Sequence, residues 1–202
     1  IANGTSGDTW LADYKRSERR KFDRFTVAED VSAAALKAFE TIEYHQWLPL
    51  RMVEKELEVA VRFPTEDEIQ VAQEYVSEWA AERKPKTTEE VYALETLILS
   101  KMPKTRMITL QAIRIGTLGI GAIPNEVFAE TGLNIKKYSP FKMTYTISLA
   151  NGAFGYIAPP EQHALGGYTT WRARSSCLGI YAEPLIKYEV LELLEKAKGV
   201  DK

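Results

Sequence analysis

The stretch from Thr105 to Ala150 reads TRMITLQAIRIGTLGIGAIPNEVFAETGLNIKKYSPFKMTYTISLA, and it decides the fold. Two isoleucine-rich apolar runs, Thr105–Ile115 and Leu118–Ile123, are separated by a glycine turn, which predicts a hairpin that enters the core. A helix predicted over about Glu126–Lys137 follows, and then a strand predicted over Met143–Ala150. A hairpin is antiparallel, so the sheet is expected to be mixed rather than purely parallel.

Further elements are predicted on both sides of this stretch. They are a helix from Thr26, a strand within Leu48–Phe63, helices over about Pro64–Arg83, Glu89–Lys101 and Ala182–Lys198, and an irregular loop over Asn151–Thr170. Candidate buried positions of the last helix are Leu185, Tyr188, Val190, Leu193 and Leu194. Strands mixed with helices of this length predict the α/β class, with a layered mixed sheet flanked by helices.

Composition excludes several classes of protein. The 202 residues are 45% hydrophobic and 27% charged, which is ordinary for a globular domain. The formal net charge of −2 argues against a dedicated nucleic-acid binder, whose binding surface is normally basic. No apolar run reaches the roughly 18 residues of a transmembrane segment. Cys177 is the only cysteine, so no internal disulfide is possible.

Three oxygen-bearing side chains follow predicted strands. Glu126 comes after a buried strand and a Pro-Asn turn, at the carboxyl end where ligands gather in α/β sheets. Its alternative role is to stabilise the N-terminus of the predicted helix. Tyr156 follows the next strand, and a parallel or neighbouring strand would bring it close to Glu126. Tyr168 follows two glycines that would let its phenol face a pocket. The alternative for both tyrosines is an ordinary packed or loop aromatic.

Histidine is scarce in this chain. The only two are His45 and His163, which are too few for a self-contained zinc site built on imidazoles. We interpret His45 as a structural or surface residue. His163 lies in the loop between Tyr156 and Tyr168, so it is a candidate substrate-binding residue, with a solvent-facing histidine as the alternative.

Three motifs resemble elements of one enzyme family, the neutral (alkaline, non-lysosomal) ceramidases. Ile123–Phe128 (IPNEVF) resembles the family's Pro-Gly-Glu-Phe-Thr element, and Asn151–Tyr156 (NGAFGY) matches its Asn-x-x-x-x-Tyr element. Tyr168 coincides with a further family tyrosine twelve positions on. The resemblance is closest to bacterial ceramidase-like proteins from about Arg106 onward. Residues 10–103 agree mainly in element pattern, so residues 1–202 look like the C-terminal portion of a single catalytic domain.

The resemblance implies a zinc site. Glu126 and Tyr156 would be zinc ligands, and Tyr168 would stabilise the oxyanion. In the family two further zinc-binding histidines and a basic group lie upstream, so the Zn²⁺ would be shared with histidines absent from this chain. The upstream portion of the same protein is therefore an expected partner.

The opening turn, Asn3–Asp8 (NGTSGD), resembles the family's Asn-x-Gly-Asp active-site turn. Asp8 is then expected at the catalytic centre, as a carboxylate that fixes the turn or supports the residues that bind the metal. The family's proposed nucleophile, a serine, falls at Trp10 in this sequence. Two alternatives follow: Ser6 substitutes for it, or a zinc-bound water acts directly, and we favour the water.

The resemblance predicts a zinc-dependent amide hydrolase that acts on N-acylsphingosine or a related N-acyl amide. The sequence has no initiator Met and no signal peptide, so we expect it to be the downstream part of a longer protein. Family members are often secreted or periplasmic, which suggests such a location. The alternatives are a non-catalytic relative that binds a lipid or glycan or is purely structural, favoured by Trp10, and a metallohydrolase of another family.

Overall fold

The computed structural model describes residues 2–10, 15–18, 21–77, 79 and 83–199. The chain divides into two compact units: Ile1–Thr9 together with Leu50–Lys202, and Trp10–Pro49. That residues 1–202 belong to a single catalytic domain stays a prediction.

The described part of the smaller unit includes the helix α1 (Arg24–Phe39). It begins two residues before the predicted start, because the Asp23 carboxylate accepts hydrogen bonds from the backbone N–H groups of Phe25 and Thr26, at 3.0 and 2.9 Å. None of its residues is buried. Its pattern is helical, and its large apolar side chains, such as Phe25 and Phe39, are exposed.

Within the described residues, the larger unit holds the six strands and five further helices. The strands are β1 (Leu50–Ala60), β2 (Thr105–Ile115), β3 (Leu118–Ile123), β4 (Glu126–Val127), β5 (Met143–Ser148) and β6 (Tyr156–Ile157). The helices are α2 (Glu66–Ser77), α3 (Thr88–Leu99), α4 (Ala129–Tyr138), α5 (Pro160–Leu165) and α6 (Ala182–Lys198). No helix in the described ranges is long and apolar enough to cross a membrane.

The main sheet has the strand order β1-β2-β3-β5. The first two pairings are antiparallel and the last, between β3 and β5, is parallel. Helix α6 packs on β1, β2 and β3, and α4 packs on β5 and α6. The predicted α/β class with a mixed sheet flanked by helices is confirmed.

The core lies between α6 and one face of the sheet. Leu110 and Ile123 from the strands and Ile186, Val190 and Leu194 from the helix are completely buried there. Their burial supplies most of the driving force for docking the helix, because each large apolar side chain contributes roughly 1.5–3 kcal/mol when removed from water.

Two predictions for α6 are wrong: Leu185 and Tyr188 are 40% and 60% exposed. The buried face instead uses Ile186 and the small side chains of Ala182 and Ala197, which let the helix lie close to the strands. Predicted positions Val190, Leu193 and Leu194 are buried.

The segment after β3 also differs from the prediction. Residues Glu126 and Val127 are extended and pair in parallel with β6, so the helix begins only at Ala129. Part of the loop predicted over Asn151–Thr170 is ordered as β6 and α5. The late start of the helix and the presence of β6 arise because two short segments pair with each other across about 30 positions of sequence.

Candidate functional site

The carboxyl ends of β3 and β5 meet at one edge of the sheet. The turn after β5 folds over the end of β3: Leu149 N–H donates to the Asn125 carbonyl, and Ala150 N–H donates to the Ile123 carbonyl, both at 3.1 Å. Leu149 and Asn151 have φ angles of 56° and 64°. A leucine in this left-handed region is uncommon and costs about 1–3 kcal/mol, a strain that is often found at functional sites.

Glu126 and Tyr156 are register partners in the β4–β6 pair. Glu126 N–H donates to the Gly155 carbonyl at 2.9 Å, and Tyr156 N–H donates to the Ser175 carbonyl at 2.8 Å. Gly155 has a φ of 77°, and a Cβ there would collide with the Ser175 backbone, so only glycine fits. The backbone therefore fixes the two side chains next to each other, as the sequence predicts.

Tyr168 completes this cluster. Its hydroxyl lies 2.8 Å from the Tyr156 hydroxyl, and the two rings meet edge to face with centroids 5.3 Å apart. Burial, the hydrogen bond with Tyr168 and the nearby Glu126 carboxylate all raise the pKa of the Tyr156 phenol. Tyr156 is therefore held protonated at neutral pH unless a cation stabilises its phenolate. Tyr168 is 58% exposed, so its hydroxyl is accessible to a ligand.

The N-terminal turn lies against the same edge. Gly7 N–H donates to the Val127 carbonyl at 2.7 Å, and Ser148 N–H donates to the Asn3 carbonyl at 3.0 Å. A Cβ on Gly7 would approach the Glu126 carbonyl oxygen to 2.7 Å, so this contact requires glycine. The turn and the Glu126 strand are thus in direct contact, across more than 100 positions of sequence.

Asp8 caps helix α4 from outside the helix. Its Oδ1 accepts a hydrogen bond from Ala129 N–H at 2.7 Å, whereas the N-cap residue Phe128 offers no side-chain acceptor. This is the role that the sequence analysis considered for Glu126, and Asp8 has it because Glu126 lies in a strand. Ser6 Oγ donates to the Asn3 side chain at 3.3 Å. Trp10 is 76% exposed.

His163 lies on α5, where its Nδ1 is 3.5 Å from Arg62 Nη1. Burial lowers the pKa of His163, and the Arg62 guanidinium lowers it further. The imidazole is therefore neutral at pH 7. Its predicted role in substrate binding stays a prediction.

Two arginines that the sequence does not single out hold the segment that carries Tyr168. Arg62, at the end of β1, donates to the Thr170 carbonyl at 2.8 Å. Arg174 pairs with Glu95 of α3 through contacts as short as 2.6 Å, and its backbone N–H donates to the same carboxylate at 2.8 Å. The partners lie 79 to 108 positions apart, so no local pattern in the sequence indicates these pairs.

A groove of about 490 Å³ lies between α2 and α3. Its wall is largely apolar and is formed by Val71, Ala72, Tyr75, Tyr92 and Ala93, with charged residues that include Arg172 at its rim. Tyr92 meets Trp171 edge to face with centroids 5.3 Å apart. The groove is therefore continuous with the segment that carries Tyr168.

The described residues offer only part of a metal site. No group of three or more His, Cys, Asp or Glu side chains comes together in the described part of the chain. Glu126 and Tyr156 are two adjacent oxygen donors, and four-coordinate zinc requires two more ligands. The residues present fit zinc as half of a ligand set.

The fold is similar to that of a solved neutral ceramidase from Pseudomonas aeruginosa. The TM-score is 0.58 at 13% sequence identity, over 96% of this chain and 36% of that structure. A ceramidase complexed with C2 matches with a TM-score of 0.49 at 12% identity, over 84% of this chain and 33% of that one, a likeness too weak to add support. At such identities the first likeness shows the fold alone. The chain spans about a third of the length of these structures.

No protein-family model matches the sequence, and no curated protein matches it either. The chain thus has a fold shared with part of neutral ceramidase, and its activity has to be argued from the site.

Proposed function

We propose that this chain is a relative of the neutral ceramidases and supplies half of the active site of a zinc-dependent amide hydrolase. Its substrate would be an N-acyl lipid such as N-acylsphingosine, or a related N-acyl amide. Glu126 and Tyr156 would bind the zinc together with two histidines from an upstream portion of the protein. Tyr168 would stabilise the oxyanion.

The observation that carries this proposal is the pairing of Glu126 with Tyr156 in register, with Tyr168 hydrogen-bonded to Tyr156. A carboxylate and two phenols converge at the carboxyl edge of the sheet, where ligands bind in α/β folds.

The chain's own residues would bind and orient the reactants. Glu126 contributes a negative charge that binds the cation, and Tyr168 donates its hydroxyl hydrogen to the oxygen of the substrate carbonyl as charge develops there. A hydroxyl has one proton, so Tyr168 can donate to substrate only when Tyr156 is not its acceptor. When bound, zinc supplies a Lewis acid that polarises the carbonyl and lowers the pKa of water.

Water is the proposed nucleophile. The side chain of Trp10 is not a nucleophile, and the Ser6 hydroxyl donates a hydrogen bond to the Asn3 side chain. Asp8 would act indirectly by fixing the opening turn to α4. The neutral His163 would line the approach to the site.

The groove between α2 and α3 supports a substrate with an apolar chain. Its volume of about 490 Å³ lies within the range of small-molecule sites, roughly 300–1,000 Å³. Its wall contacts the segment of Tyr168 through Tyr92 and Trp171. An acyl chain in the groove would thus lie beside the segment that carries Tyr168.

The first test is elemental analysis of the full-length gene product. We expect about one zinc per molecule in wild type. Glu126→Ala and Tyr156→Phe should lose most of that zinc, since each removes one ligand. Tyr168→Phe should keep the zinc and lower the rate of N-acyl amide hydrolysis by roughly 10²–10³-fold, the usual effect of losing one oxyanion donor.

The matched control is Glu130→Ala, which removes an exposed carboxylate from the first turn of α4. It should leave both zinc content and hydrolysis at wild-type values. Absence of zinc from wild type in the presence of added metal would contradict the proposal. So would retention of zinc in both ligand variants.

One observation favours a second candidate, a non-catalytic relative that binds a lipid or glycan. Trp10 stands where the resemblance places the family's serine. Such a protein would bind an N-acyl lipid without hydrolysing it, and the Tyr168→Phe variant would then change affinity alone.

A further inference from the structure

Arg62 lies where β1 meets the segment that carries Tyr168. Its neighbour Val61 forms an isolated antiparallel bridge with Leu178, and Arg62 N–H donates to the Cys177 carbonyl at 2.7 Å. The backbone therefore holds Arg62 against the end of residues 163–176, hereafter the tyrosine segment. Its half-buried side chain runs back along that segment.

The Arg62 guanidinium joins distant parts of the tyrosine segment. Nη1 donates to the Thr170 carbonyl at 2.8 Å and lies 3.5 Å from His163 Nδ1. Nη2 donates to the carbonyl of Ser176 and, at 2.9 Å, to its hydroxyl. One planar side chain thus contacts the beginning, middle and end of the segment.

This guanidinium has no counter-ion among the described residues, whose ion pairs involve other side chains. Burial lowers the pKa of Arg62, and the nearby Arg172 lowers it further. Burying an unpaired charge is unfavourable unless its N–H groups are hydrogen-bonded, and the Thr170 and Ser176 oxygens accept those bonds here. The rigid guanidinium fork bonds two carbonyls at a fixed spacing, and a lysine cannot reproduce this geometry.

The tyrosine segment needs an external anchor. Gly166 and Gly167 have φ angles of 73° and 101°, and the space around the Cβ position of Gly167 is open. The Thr170 and Trp171 N–H groups donate to the Gly167 carbonyl, at 2.9 and 3.0 Å. Tyr168 therefore lies in a tight turn. Two glycines with positive φ angles precede it, and the hydrogen bond from Arg62 to the Thr170 carbonyl holds the turn on its other side.

We propose that Arg62 is the positioning residue for Tyr168: its bonds to Thr170 and Ser176 hold the turn so that the Tyr168 hydroxyl stays beside Tyr156. The part of this proposal in which Tyr168 acts on a substrate rests on the proposed function. The part in which Arg62 holds the turn in place is independent of that function. The two parts are therefore tested separately.

The first test is hydrogen exchange, measured by mass spectrometry on this 202-residue chain. In Arg62→Met, peptides that cover residues 166–176 should exchange about tenfold faster, because the loss of these hydrogen bonds removes about 1–1.5 kcal/mol of local stability. Arg62→Lys keeps the charge and the stem but loses the fork, so the same peptides should also exchange faster than in wild type.

The matched control is Arg114→Met. Arg114 is also partly buried and also donates to backbone carbonyls, those of Gly116 at 3.0 Å and of Lys198, but on β2 and α6. This variant should leave exchange in residues 166–176 unchanged. Equal exchange of these residues in Arg62→Met and Arg114→Met would overturn the proposal, and so would wild-type exchange in Arg62→Lys.

The second test uses the full-length hydrolase. Arg62→Met should lower kcat roughly 10- to 100-fold with little change in KM or zinc content, because it misplaces Tyr168. Added to Tyr168→Phe, it should cause little further loss, since residues that act as a unit are not additive. Full additivity would indicate a general structural role and contradict the proposal. If wild type hydrolyses nothing, the proposed function fails while the exchange comparison still decides the role of Arg62.

Discussion

At the scale of single residues, chemistry depends on where the backbone places a few oxygen atoms. Glu126 and Tyr156 become neighbours through strand register, and Tyr168 reaches them through one hydrogen bond. The pKa of Tyr156 is raised first by burial and then by the hydrogen bond with Tyr168 and the nearby Glu126 carboxylate. A motif therefore indicates the residue type, and the pairing of strands decides the chemical environment.

His163 gives a pH-dependent prediction at this scale. Its pKa in the folded state is lowered from 6.5, chiefly by burial and then by Arg62, so below that pH the unfolded chain binds more protons than the folded one. The stability contributed by neutral His163 is therefore complete above about pH 6.5 and is lost as the pH falls toward the folded pKa. Carboxylates with a lowered pKa, such as Glu95, change the stability of the protein only as the pH falls below about 4.5, so they do not contribute in this range.

We expect the urea midpoint to fall between about pH 7 and about pH 5.5 in wild type, and to fall less in His163→Gln. The control is His45→Gln, which removes the other histidine of the chain and so shows how much of the pH dependence comes from each imidazole. If the fall of the urea midpoint depends on His45 and not on His163, this assignment is refuted.

At the scale of elements, local pattern was informative where an element is long enough to show a period. Strands β2 and β3 begin and end as predicted, and so does α6. The prediction failed around Glu126 and within Asn151–Thr170, where two-residue strands are stabilised by each other. Segments this short carry no periodicity, so only their partners define them.

Helix α4 gives the prediction at this scale. Asp8 is its only described side-chain cap, so Asp8→Ala should destabilise the protein by about 0.5–2 kcal/mol. Asp8→Asn keeps an acceptor oxygen and should retain most of that stability. Urea unfolding followed by circular dichroism measures both variants. Equal loss in the two would show that the charge, and not the hydrogen bond to Ala129 N–H, is what matters.

At the scale of the whole molecule, the larger unit depends on α6, which covers β1, β2 and β3. Neighbouring residues of this helix differ sharply: Ile186 is 0% exposed and Leu185 is 40% exposed. The apolar pattern alone favoured Leu185, because hydrophobicity does not reveal which of two adjacent apolar residues faces the sheet.

Ile186→Ala should destabilise the larger unit by about 2–5 kcal/mol, since it removes buried contacts and leaves a cavity. Leu185→Ala on the same helix is the control and should cost well under 1 kcal/mol. Thermal and urea unfolding would measure both. Similar losses in the two variants would show that α6 docks in a different rotation.

The α/β class, the hairpin of β2 and β3, and the oxygen-bearing residue types of the candidate site can all be predicted from the amino-acid sequence alone. These follow from local patterns of hydrophobicity and from short motifs, which depend only on nearby residues. Tertiary structure decided which residues meet: Glu126 with Tyr156, Asp8 with helix α4, and Arg62 with the tyrosine segment. These contacts join parts of the chain 30 to 121 positions apart, and only packing and strand register bring such parts together.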